Sequence, residues 1–231
     1  MKPHHTQIDQ TRLGGSFTWG AFTRYWLDVV FPPRCANCGR LDTFFCSACQ
    51  ARLDALPLKH LERTLPPFSG LISTEMHRIP LLRRLIHSLK YDNMPELAQP
   101  LGIRLATAIQ DDNWEIDLVI SVPLHPHRQR ERGYNQSTEL AKVVSEVLGL
   151  RELSSALQRT VNTRSQVGLG QQQRLDNVAG AFIANPHHLE GAKVLLIDDV
   201  LTTGATMQAC AEAVIAAGAH SIYGVTITSA S

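Results

Sequence analysis

Residues 194–206 read VLLIDDVLTTGAT, and this stretch constrains the fold more than any other. Val194, Leu195, Leu196 and Ile197 form a continuous apolar run, the pattern of a central strand covered on both faces of a parallel sheet. Asp198 and Asp199 follow directly, which puts two carboxylates at the carboxyl end of that strand, where open α/β sheets bind ligands. Thr202, Thr203 and Gly204 make a short turn with hydroxyls and one residue that lets the backbone come close to something. From Thr206 a helical pattern begins, with Met207, Cys210, Ala211, Val214 and Ile215 on one face, so Cys210 reads as a core thiol. A helix N-terminus offers free N–H groups and the positive end of a dipole, which favour an anion and phosphate above all. The rival motif, a Walker P-loop, requires a Gly-Lys-Ser/Thr that is missing here. The bland alternative is a strand that simply ends in a solvated acidic loop.

Strand, Asp-Asp, Thr-Thr-Gly-x-Thr and helix, in that order, resemble the phosphoribosyl pyrophosphate (PRPP) motif of type I phosphoribosyltransferases. The resemblance implies that Asp198 and Asp199 hold the ribose hydroxyls. It implies that Thr202, Thr203, Gly204, Ala205 and Thr206 wrap the 5′-phosphate.

A chain of 231 residues can hold one ordinary α/β domain and a small appendage. A net charge of +1 gives no global case for nucleic acid or membrane binding, so any such binding must come from local patches. No apolar run approaches the roughly 20 residues of a membrane span. The polar start at Met1, Lys2, His4 and His5 does not read as a signal peptide, which makes the cytoplasm the expected compartment.

That compartment matters for Cys35, Cys38, Cys46 and Cys49, because reducing conditions weigh against disulfides. Two Cys-x-x-Cys knuckles separated by seven residues supply four thiolates, the closed tetrahedral set of a structural zinc ion. A redox Cys-x-x-Cys is the alternative, and a pair of them at this separation suits a metal better. Residues 1–20 read as a disordered leader, residues 21–62 as a short helix followed by the zinc module, and residues 63–231 as the main domain.

Within the main domain, residues 69–76 read as a strand. Leu81, Leu82, Leu85, Ile86 and Leu89 mark a helix whose other positions carry Arg83, Arg84, His87 and Lys90, a basic or simply solvated face. Residues 96–110 read as a helix that kinks or begins at Pro100. Residues 117–122 form a second buried strand, leading into a loop with Arg128, Arg130 and Arg132. Guanidinium forks pair well with phosphate oxygens, so this loop is a candidate anion site. The next helix places Leu140, Val143, Val144, Val147 and Leu148 on one face and ends at Gly149. Residues 159–178 are polar, with Arg159, Arg164 and Arg174 and no acid up to Arg174, a long loop of functional or disordered character. Residues 181–184 and 222–228 complete the strands, and the alternation of strand and helix predicts a mostly parallel sheet.

Three stretches in this order make the resemblance specific: the four cysteines, the run VPLHPHRQRERGYNQS at 122–137, and the PRPP motif. Together with LIHSLKYDN at 85–93 and the positions Arg159, Thr160, Thr163, Gln166, Leu169, Arg174 and Asn177, they resemble the ComF/GntX family of competence-associated, phosphoribosyltransferase-like proteins. The resemblance implies a type I phosphoribosyltransferase-like fold with a small N-terminal zinc module, PRPP as ligand, structural Zn²⁺, and Mg²⁺ bridging diol and pyrophosphate. Val122, Pro123 and Leu124, with Arg128 and Arg132, take the place of the pyrophosphate loop. Arg159, Gln166 and Arg174 fall in the place of the mobile loop. The family's role implies handling of imported single-stranded DNA during natural transformation, with single-stranded DNA and a competence helicase as partners. The alternative is an active phosphoribosyltransferase of nucleotide salvage. No acceptor pocket is identifiable from the residues, so no catalytic residue is assigned and the oligomeric state stays open.

Overall fold

Four consecutive apolar residues need cover on both sides, and the fold supplies it. The computed structural model describes residues 32–58, 61–110, 112–161, 178 and 180–230. The leader, the helix expected at 21–31, and the loop positions Thr163, Gln166, Leu169, Arg174 and Asn177 lie outside these residues. Strands β1 (Leu61–Glu62), β2 (Gly70–Ser73), β3 (Leu118–Ser121), β4 (Arg151–Glu152), β7 (Lys193–Leu201) and β8 (Ser221–Ser229) build one six-stranded sheet. Its order is β1-β2-β8-β7-β3-β4, and only the β1–β2 pair is antiparallel. β5 (Leu157–Arg159) and β6 (Phe182–Ala184) form a separate antiparallel pair.

Helices α1 (Ser47–Asp54), α2 (Pro80–Tyr91), α3 (Ala98–Gln110), α4 (Pro126–Arg132), α5 (Gln136–Leu148) and α6 (Ala205–Ala216) complete the architecture. The twofold period of β7 divides its side chains between two cores. Leu195 and Ile197 pack with α2, α3 and α5, whereas Val194 and Leu196 pack with α6 and the β5–β6 pair. All four are fully buried, which explains why the run shows no polar alternation. The expected α/β class and mostly parallel sheet are what the chain forms.

Local readings differ from the structure at four places. β7 does not stop before the acids but continues through Asp198 and Asp199 to Leu201, because β8 pairs with it that far. β3 ends opposite Ile197, so the acids are exposed to a gap on the β3 side only. The arginine loop contains a helix, α4, which starts at Pro126, accepts a cap bond from His127 N to His125 Nδ1, and stops at Gly133 with φ +87. α3 begins at Ala98, ahead of Pro100, whose missing N–H falls in the first turn and breaks no helical bond. Val147 is 42% exposed and leaves the apolar face of α5.

The cysteine module is built on the same core as the sheet. Leu53 of α1 is fully buried within it, and Ala36 and Phe45 pack against it. Arg104 of α3 donates to the carbonyls of Leu53, Leu56 and Pro57, the last at 2.7 Å, which satisfies chain ends that α1 leaves open. Among the described residues no helix is long and apolar enough to cross a membrane.

Candidate functional site

A cleft of about 410 Å³ opens where β3 ends and β7 continues, a size within the range of small-molecule sites. Asp198 and Asp199 form its floor, and their directions follow from the strand period. Asp199 points to the face of Leu195 and Ile197, toward α2. There Lys90 Nζ lies 2.9 Å from its Oδ1. Its Oδ2 is buried and has no hydrogen-bond partner among the described residues. Asp198 accepts from Ser137 Oγ at 2.8 Å, at the N-terminus of α5, and from the backbone N–H of Asp199.

Burial first, and the neighbouring Asp199 charge second, push the Asp198 carboxyl up to about 7, against the opposing pull of Lys90 and Ser137. Burial also works against the Lys90 ammonium, but Asp199 outweighs it and holds the Lys90 pKa above its ordinary value. Lys90 had read as one of several cations on a helix face. The fold instead separates it from exposed Arg83, Arg84 and His87 and turns it into the counterion of the acid pair.

Thr202, Gly204 and Thr206 line the same cleft. Gly204 has φ +86 and caps α6, and a Cβ there would stand 2.8 Å from Leu65 Cδ2. Glycine is therefore needed both for the left-handed turn and for close packing. Thr203 and Ala205 are not among the lining residues. Ala205 is buried in the core under α6, and Thr203 Oγ1 sits 3.5 Å from its amide.

The opposite wall is Val122, Pro123 and Leu124 with Arg128 and Arg132 of α4. Val122 is clamped on both sides, its N–H donating to Ile197 O and its carbonyl accepting from Asn135 Nδ2. Arg132 donates to Gln136 Oε1, and its guanidinium lies 5.3 Å from the ring centre of Tyr91. Arg159 also reaches the cleft, with its guanidinium 5.4 Å from the Phe182 ring centre. Of the residues expected here, Asp198, Asp199, Thr202, Gly204, Thr206, Val122, Pro123, Leu124, Arg128, Arg132 and Arg159 share this one cleft. Gln166 and Arg174 lie outside the described residues.

Sequence reasoning missed Lys90, His77, Gln136 and Ser137 as lining residues. Ser137 stands at the end of the RGYNQS run and Lys90 in the Leu-Lys-Tyr segment, so both had a local signal. His77 had none; it reaches the cleft because its Nδ1 pairs with Thr228 Oγ1 of β8 at 2.9 Å.

At the other end of the molecule the ligating atoms of Cys35, Cys38, Cys46 and Cys49 lie within 4.8 Å of one another. Zinc–thiolate bonds of about 2.3 Å in a tetrahedron require S···S separations of about 3.8 Å. Cys38 Sγ and Cys46 Sγ are 3.6 Å apart, so the set fits a metal ion. Gly39 (φ +75) turns the first knuckle, and α1 begins directly after Cys46. Burial raises the Cys35 thiol, but amides of Cys38, Cys46 and Asn37 outweigh it and lower it to about 6.

Comparison with known proteins agrees with this geometry. A family model described as the phosphoribosyl transferase domain matches residues 102–230. The chain is 31% identical over 196 residues to the DNA utilization protein YhgH of Escherichia coli O6:H1, covering 81% of this chain and 85% of that one. It is 33% identical over 138 residues to Competence protein F of Haemophilus influenzae, covering 57% of this chain and 60% of that protein. Among solved structures it is similar to a glutamine phosphoribosylpyrophosphate (PRPP) amidotransferase from B. subtilis. That match is 20% identical, spans 61% of this chain and 30% of the other, and has a TM-score of 0.43. The chain belongs to the phosphoribosyl transferase domain family, in its ComF/GntX group, with four N-terminal cysteines placed to hold a metal ion.

Proposed function

We propose that the cleft binds PRPP and that the chain serves the handling of imported single-stranded DNA in the cytoplasm. One observation carries the PRPP reading. The acid pair, the Thr/Gly turn at a helix N-terminus and the α4 arginines come from three separate parts of the chain and face one cavity. Asp198 and Asp199 would accept the ribose hydroxyls, and the partnerless Asp199 Oδ2 is an acceptor in want of such a donor. Thr202, Gly204 and Thr206 would take the 5′-phosphate together with the first amides of α6. Val122, Pro123 and Leu124, with Arg128, Arg132 and Arg159, would take the pyrophosphate.

The donor set at the floor fits Mg²⁺ as well, held with the diol by Asp198 and Asp199, where the ion would neutralise pyrophosphate charge. The cysteine set fits zinc in a closed structural site. The DNA role is supported by the relatives, one a DNA utilization protein and one a competence protein.

Calorimetry with PRPP and Mg²⁺ tests the ligand. Asp198→Asn with Asp199→Asn should weaken binding about 100-fold or more while the far-UV spectrum stays unchanged. An unchanged affinity overturns the assigned site. Pyrophosphate release with a panel of nucleobases, above an Asp199→Asn control, would extend the reading from binding to transfer.

A further inference from the structure

The mouth of the PRPP cleft continues into two shallower cavities that the proposed ligand does not use. One is lined by Lys90, Tyr91, Arg128, Arg130 and Arg132, and the other by Arg83, Arg84, His87, Lys90 and Tyr91. Six Lys or Arg side chains line the pair of cavities against two acids, Asp92 and Glu131, in a chain whose net charge is only +1. Each of those acids already faces a histidine: Asp92 lies 3.6 Å from His87, and Glu131 lies 3.5 Å from His127. The basic character is therefore local and concentrated on the α2–α4 face.

Tyr91 stands where the two cavities meet and is 67% exposed, unusual for an aromatic ring. The Arg132 guanidinium and the His87 ring, 5.3 and 5.0 Å from its centre, hold it upright. Tyr134, the other aromatic of the neighbouring run, packs against the core and donates its hydroxyl to Leu89 O, which removes it as a platform. Arg84 donates to Asn37 O at 2.6 Å, so the basic track reaches from α4 to the first cysteine knuckle.

A track of cations that follows a backbone, with an exposed aromatic ring between them, is the physical pattern of single-strand binding: phosphates meet the guanidinium groups and a base stacks on the ring. A duplex keeps its bases stacked inside and has no π-face to give to Tyr91. We infer that single-stranded DNA lies along the α2–α4 face, its phosphates on Arg83, Arg84 and Arg130 and one base on Tyr91 beside the mouth of the PRPP cleft. This deepens the DNA-handling reading and rests on it, but not on the identity of the cleft ligand.

Fluorescence anisotropy with a labelled 20-mer oligothymidine, over a range of salt concentrations, tests it on the full chain. Arg83→Glu with Arg130→Glu, both exposed residues outside the PRPP cleft, should weaken the oligonucleotide at least tenfold. The same pair should reduce the slope of log affinity against log salt by about 1 and leave PRPP affinity within about twofold. Tyr91→Ala should cost about fivefold or more and Tyr91→Trp should restore binding, because stacking needs a ring and no particular base. The 20-bp duplex should bind more weakly than the single strand. A wild-type chain with no affinity for the oligonucleotide overturns the DNA reading itself. Binding that these variants leave untouched keeps that reading and overturns the placement. Equal or tighter duplex binding overturns the stacking claim.

Discussion

Asp198 shows what a binding site costs at the scale of one residue. Its carboxyl is pushed up to about 7 in the folded chain, by burial first and Asp199 second, whereas an unfolded aspartate titrates near 3.9. The folded state thus holds the proton more tightly than the unfolded state. The stability this contributes is complete below about pH 4 and is lost as pH rises through 7. Without ligand, Asp198→Asn should therefore raise the thermal midpoint at pH 8 by at least about 1 kcal/mol, the worth of one pKa unit. At pH 5 the difference should shrink. Thermal unfolding at the two pH values checks this, and an equal effect at both would contradict it. The acid pair was evident in the sequence, but its neutralisation was not. Lys90 is on α2, and its helical position did not separate it from its solvated neighbours until α2 packed beside β7.

At the scale of elements, the distance between helices decides where these side chains stand. Gly102 sits inside α3, where glycine costs roughly 1 kcal/mol relative to alanine. A Cβ at this position would lie 2.6 Å from Val143 Cβ on α5, so glycine is what allows the two helices to approach. α5 in turn carries Ser137 to Asp198. Gly102→Ala is expected to destabilise by roughly 1–3 kcal/mol through overpacking, despite its better helix propensity. Val143→Ala in the same chain should return part of that loss, because the two sites are in contact. Denaturant unfolding of the four members of the cycle measures it; additive effects would show that the clash is relieved elsewhere. α4 makes a related point. Its seven residues carry three arginines and no buried side chain, so no apolar period marked it, yet Pro126 and Gly133 punctuate both ends.

At the scale of the whole molecule, the cysteine module and the sheet share one core. Leu53 is buried in it, Phe45 packs on it, and Arg104 joins α3 to the carbonyls after α1. Removing the metal should therefore destabilise more than the residues around the thiols. Purified without chelator, the chain is expected to carry one zinc. Stripping it should lower the midpoint of a single unfolding transition. Two separate transitions, by calorimetry, would show that the module folds independently of the sheet.

The sequence alone determined whatever depends on neighbours along the chain. Cys-x-x-Cys brings two thiols together within one turn, Val194 to Ile197 demand cover on both faces, and a diacid next to a Thr/Gly turn must lie close to a helix N-terminus. Such spacings survive in any fold the chain could adopt, which is why the sheet class, the metal ligands and most of the cleft were legible. Only the tertiary structure decided which distant groups meet them. Ser137 reaches Asp198 across 61 residues, and Lys90 reaches Asp199 from another helix. Likewise Tyr91 is left exposed while Tyr134 is drawn inward. These pairings depend on the order of parallel strands and on how closely helices cross the sheet, and no local period encodes either.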